Sequence, residues 1–243
     1  MLRHVAVLAL AALCLPAQAK VDAAQAARLG QDLTPLGGER AANAAGTIPV
    51  WEGGLTTPPA SYQPGMHHPD PYAGDAVLYT VNAQNLGQYQ KVLPAGLQTL
   101  LQTHPDYKLR VFQSRRSAAA PQYVYDATKA NATKAELIAG GNGVSGAAAG
   151  VPFPIPQNGQ EAIWNHIMRF RGEQIHMVAN HVAVLANGSY SLVLRDREIY
   201  FVYGRQGAQE GDLDNTLFHY KYSVTAPSKL AGSALLVEET IDQ

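Results

Sequence analysis

Beyond Gly172 the chain changes its period, and that change constrains the fold more than any other feature. The run QIHMVANHVAVL leads through Ala186-Asn187-Gly188-Ser189 into YSLVLRDREIYFVY. Asn-Gly tolerates the positive φ of a tight turn, so the two runs predict a β-hairpin. Phe218, Tyr220, Tyr222 and Val224 then alternate with His219, Lys221 and Ser223, and after a turn at APSKLAG a further strand, SALLVEETI, follows. Residues 174 to 243 thus read as an antiparallel meander with one apolar, aromatic face. Such a face has to be covered by helices, by another sheet or by a ligand.

The segments upstream offer limited cover. NGQEAIWNHIMRFRG has the best helical pattern: Asn158 and Glu161 suit a capping box, Ile163, Ile167 and Phe170 recur at i, i+4, i+7, and Gly172 supplies a stop. Asp22 and Gln25 predict a short helix ending at Gly30. Ala76–Val81 and YKLRVFQ read as strands, Asn82 as the cap of a helix over NAQNLGQYQKVL, and Pro94 as the start of a second, with Leu97, Leu100 and Leu101 on one face until His104-Pro105. Residues 121–138 favour a helix weakened by Thr and Asn. Residues 31–74 have neither period and are thick with Gly and Pro. They predict an irregular arm anchored by Trp51, Tyr62 and Tyr72. The fold class is α+β. Incomplete cover would curve the sheet around an apolar cavity; full cover would give a packed core.

The first twenty residues, MLRHVAVLALAALCLPAQAK, join Arg3 to an apolar run from Val5 to Leu15 and the triplet Ala17-Gln18-Ala19. This is the layout of a secretory signal peptide cleaved after Ala19, and the run is too short to span a bilayer as a helix. Export to the periplasm follows as an expectation. Cys14 is the sole cysteine of the 243 residues and lies in that run, with a bulky Leu13 where lipoprotein processing needs a small residue. The formal net charge of -1 shows no long block of either sign, so nothing suggests a nucleic-acid groove.

Several motifs invite chemistry and fail on context. GNGVSG at 141–146 has the spacing of a dinucleotide fingerprint, but Pro152, Pro154 and Pro156 follow it where a phosphate-binding helix would have to begin. It reads instead as a flexible connection. GVSGA around Ser145 misplaces the second glycine of a nucleophile elbow. His67-His68-Pro69-Asp70 offers adjacent ligands that point apart, and His176 and His181 differ by an odd number and face opposite sides of a sheet. His166 reads as a partly buried structural histidine. Arg169 and Arg171 suit a helix C-terminus, or an anionic headgroup at a pocket mouth. Asn131-Ala-Thr133 matches a glycosylation triplet. No catalytic residue, metal or cofactor is expected, and an enzyme is not the preferred reading.

The stretches AARLGQDLTPLG, GTIPVWEGGLTTPP, PDPYAGD, YDATKANATKAEL, GGNGVSGAAAGVPFPIPQNGQEAIWNH and LAGSALLVEETIDQ run through nearly all of the chain after the leader. In them it resembles the exported proteobacterial family catalogued as domain of unknown function 1329, described as outer-membrane lipoprotein-sorting-like. The chain resembles the N-terminal half of a family member. The resemblance implies the fold of the periplasmic lipoprotein carriers LolA and LolB, an open half-barrel of antiparallel strands with helices as lid. It further implies a carrier for an acylated or otherwise apolar ligand, or an adaptor working with an efflux-type transporter or outer-membrane protein. The expected organisation is a leader over 1–19, a helix and arm over 20–74, and helices with a sheet over 75–243. The candidate lid residues are Trp164, Ile167, Met168 and Phe170, and the candidate sheet residues are Phe218, Tyr220, Tyr222 and Val224.

Overall fold

A computed structural model describes residues 21–212, 216–232 and 234–239; the expected leader and its cleavage point lie outside the described residues. The fold mixes short helices with antiparallel sheets. It divides into two compact units: one holds Gly30–Thr34 and Gly38–Pro121, and the other holds Pro35–Gly37, the segment up to Leu29 and the chain from Gln122 onward. Residues 75–121 therefore share a unit with the arm.

In the arm's unit, β1 (Tyr79–Val81) pairs antiparallel with β2 (Leu109–Val111), and α2 (Ala95–Thr103) buries Leu101 with Val81 and Leu86. The helix expected over NAQNLGQYQKVL is instead two short 3-10 turns, Leu86–Gln88 and Gln90–Val92. The Asn82 carboxamide oxygen does accept from the N–H groups of Gln84 and Asn85, but Gly87 lies inside the first turn and Pro94 follows the second, so no α-helix propagates. Among the described residues the arm forms no strand beyond a single bridge, Leu33 to Glu39. Its main anchor is the Arg116 guanidinium, which donates to the carbonyls of Glu39 (2.6 Å), Arg40 (3.1 Å), Pro49 (3.4 Å) and Ala41 (3.5 Å). Of the expected aromatic anchors, Trp51 donates its indole N–H to Ala118 O at 3.0 Å, while Tyr72 lies under the Arg115 guanidinium and Tyr62 packs edge-on to His68.

The other unit begins with α1 (Ala23–Ala26), capped by Asp22, which accepts from Gln25 N–H at 2.7 Å. Its α3 (Gln122–Asn131) is shorter than the sequence suggested, because 136–138 forms β3 (Glu136–Ile138), paired antiparallel with β4 (Gly143–Ser145). The Thr and Asn that weaken the helical pattern are what dock this helix. Val124, Thr128 and Asn131 share its buried stripe at i, i+4, i+7. Thr128 Oγ accepts from Val151 N–H. Asn131 Oδ1 accepts from Ala148 N–H, and its Nδ2 donates to Val151 O. Asn131 is 2% exposed, so the Asn-Ala-Thr triplet is a packing device and not an accessible glycan acceptor.

GNGVSG is thus the second strand of a small hairpin, not a flexible connection. Its Gly141 (φ 98°) presents the carbonyl that accepts the Trp164 indole N–H at 2.9 Å, and a Cβ on Gly146 would stand 2.6 Å from Lys134 O. In α4 (Gly159–Ile167), Asn158 accepts from Glu161 N–H at 3.0 Å, while the fully buried Glu161 carboxylate accepts from Gln157 N–H and Asn158 Nδ2. The buried face is Glu161, Trp164 and Met168; Ile163, expected there, is 60% exposed, and the helix stops before Gly172. The largest sheet orders β5 (Gln174–Val184), β6 (Tyr190–Phe201), β7 (Phe218–Ala226) and β8 (Ala234–Glu239), all antiparallel, as the meander required.

Two substitutions test these accounts. A Cβ at Gly150 (φ 100°) would meet Thr128 Oγ at 2.6 Å and Val124 O at 2.7 Å, so Gly150→Ala is expected to lower unfolding free energy by at least about 1–3 kcal/mol, measured by urea denaturation. Arg116→Lys loses the planar fork that reaches several carbonyls. Limited proteolysis is expected to nick residues 39–51 about tenfold faster in that variant.

Candidate functional site

The register of the sheet decides which side chains can act together. One face runs in rows outward from the core: Phe201 with Phe218, then Ile175–Ile199–Tyr220, then Met177–Arg197–Tyr222, then Ala179–Arg195–Val224, then His181 with Val193. Phe201 is 1% exposed in a core with Trp164, Met168, Phe153, Val144 and Tyr203. Two rows further out, two arginines replace aliphatic residues. The opposite face inverts this order. Near the core it carries His176, which meets Asp196 at 2.8 Å, and Glu198 beside Lys221. Towards the hairpin tip it exposes Val178, Val182, Val184, Tyr190 and Leu192.

The candidate residues separate accordingly. Trp164, Met168 and Val224 are buried. Ile167 and Phe218 pack half-buried against the core, and Phe170 meets Tyr123 edge-on at 6.1 Å. Tyr220 and Tyr222, like Phe170, are half-buried outside the core cluster, and their ring centroids lie 5.6 Å apart. Sequence reasoning passed over their neighbours. Arg195 places its guanidinium 5.5 Å over the Tyr222 ring, and Arg197 donates to Met177 Sδ, a weak acceptor, at 3.0 Å. The Nε of each is buried without a hydrogen-bond partner among the described residues. The signal was available in YSLVLRDREIYF: with Phe201 inward, a period of two puts Ile199, Arg197 and Arg195 on its side.

A bulge bends this face. Leu194 opposes Ala226 whereas Arg195 opposes Val224, so Thr225 is the extra residue. Bulges of this kind increase local twist and curvature. Elsewhere, a cleft of about 250 Å³ is lined by Asp70, Tyr72, Asp75, Phe112, Gln113 and Arg115, but Arg115 and Asp75 pair with each other across it. His166 is exposed, beside Arg169, rather than partly buried. Among the described residues no cluster of three or more His, Cys, Asp or Glu could hold a metal ion. No described helix is long and apolar enough to cross a membrane.

Fold and site define an α+β protein whose main sheet presents a mixed cationic and aromatic face. Residues 80–243 match the family described as "Protein of unknown function (DUF1329)", and the chain belongs to that family. It is similar to "Uncharacterized protein PA3922" of Pseudomonas aeruginosa, with 44% identity across the whole of this chain. It spans about half that relative's length, 53%. No solved structure matches.

Partial burial, and then the cations Arg195 and Arg197, hold the His181 ring below its ordinary 6.5. With a lower pKa in the folded state, protons bind preferentially to the unfolded chain as pH falls. The contribution of His181 to stability is therefore fully present above pH 6.5 and declines as pH falls below it. Urea midpoints measured at about pH 7.5 and about pH 5.5 are expected to differ less in His181→Gln than in the native protein.

Proposed function

We propose that this protein is a periplasmic binding protein, not an enzyme. It shields an acylated or otherwise apolar ligand during outer-membrane lipid or lipoprotein trafficking, and its sheet belongs to an open half-barrel of the LolA and LolB kind. The observation that carries this reading is the half-buried Ile199, Tyr220 and Tyr222, with Met177 beside them, on the same side of the sheet as the core residues Phe201 and Phe218. The bulge at Leu194/Arg195 adds the curvature that a half-barrel needs. Burying one acyl chain there would contribute about 0.8 kcal/mol per methylene, enough for useful affinity without a reacting group.

A second reading, an adaptor for a transporter or outer-membrane protein, draws on the exposed apolar tip formed by Val178, Val182, Val184, Tyr190 and Leu192. Mass spectrometry of gently purified protein separates the two. The carrier predicts co-purified lipid and uptake of a fluorescent fatty acid, reduced by Tyr220→Ala or Tyr222→Ala. Protein that is always empty and takes up none, yet loses partner capture when the tip valines become Thr, would favour the adaptor.

A further inference from the structure

We propose that Arg195 and Arg197 bind the headgroup of a single-chain lipid ending in an oxyanion, with the hydrocarbon lying on the Ile199–Tyr220–Tyr222 side. This deepens the carrier reading and rests on it. The two guanidinium groups share one face of one strand, their Cα atoms about 7 Å apart by strand geometry. Both are half-buried, and like charges brought together and partly desolvated are unfavourable without a counter-charge. Among the described side chains no acid on that face supplies one. The two carboxylates of β6, Asp196 and Glu198, fall on the opposite face, where His176 and Lys221 engage them.

What the arginines do touch is weak. Among the described residues, Met177 sulfur and the Tyr222 ring leave most guanidinium N–H groups without a strong protein acceptor, and both Nε atoms are buried without one. His181 lies beyond Arg195 on the same face, where an imidazole N–H can donate to an oxyanion; burial first and then the two arginines lower its pKa. Along the strand, away from the core and against chain order, apolar residues give way to cations: Phe201, Ile199, Arg197, Arg195. That order matches a molecule with a greasy tail and an anionic head. Arginine forks bind carboxylate or phosphate through two parallel N–H···O bonds, which fits the one requirement the protein leaves unmet.

Titration calorimetry with laurate, monolaurin and inorganic phosphate tests the assignment, since laurate and monolaurin carry matched chains on charged and uncharged heads. Laurate is expected to bind about tenfold more tightly than monolaurin, as a charge-assisted hydrogen bond supplies. Arg195→Gln/Arg197→Gln is expected to abolish the preference, lowering laurate affinity by about tenfold more than monolaurin affinity. Equal affinity for the two lipids in the native protein overturns the headgroup assignment and leaves the carrier reading standing; that comparison needs no variant. A preference that survives in the double variant overturns it as well. Phosphate binding as tightly as laurate overturns the lipid as occupant. Failure of both lipids to bind overturns this proposal together with the carrier reading.

Discussion

The burial of Phe201 is the constraint on which the rest of the sheet depends. It is 1% exposed among Trp164, Met168, Phe153 and Tyr203, and a strand's side chains alternate with a strict period of two. Once that ring is inside, Ile199, Arg197 and Arg195 must lie on its side and Tyr200, Glu198 and Asp196 on the other. A one-residue slip would drive Tyr200 and Glu198 toward the core and expose Ile199. The cations on the candidate face are therefore a consequence of register, held there by the burial of one aromatic ring.

The root of the sheet is fixed with equal care. Tyr203 donates its hydroxyl to Ile167 O at 3.2 Å, and Tyr123 donates to Gly204 O at 2.8 Å. Burial raises the pKa of both phenols, so they stay protonated and remain donors. These bonds tie the end of α4 and the start of α3 to the turn after β6. The arrangement positions the sheet by hydrogen bonds at its base.

Much of this fold was legible in the sequence because period two is a strong signal over long strands. The hairpin, its Asn187-Gly188 turn and the alternation of Phe218 to Val224 followed directly from it. The capping box at Asn158 and Glu161 was legible for a related reason, since a cap is a local motif that tertiary context seldom overrides. What failed to show was burial by polar residues. Thr128 and Asn131 occupy a helix stripe where hydrophobic periodicity expects Leu or Val, and they dock by hydrogen bonds that hydrophobicity cannot register. Ile163 erred in the opposite sense, an apolar residue turned to solvent because the neighbouring stripe holds Glu161, Trp164 and Met168. Arg195 and Arg197 do not stand out in the sequence because charged residues alternate out of phase with them at Asp196 and Glu198, so both faces of β6 carry charge.

The clamp on the irregular arm tolerates changes of side chain. Arg116 grips carbonyl oxygens at Glu39, Arg40, Ala41 and Pro49, and a carbonyl is the same whatever side chain hangs beside it. The route of that segment is thus written in large part into one cation, aided by the Trp51 indole on Ala118 O and by Asn43, whose carboxamide oxygen accepts from Ile48 N–H. A change of side chain at the four gripped positions disturbs the backbone path less than loss of the guanidinium does.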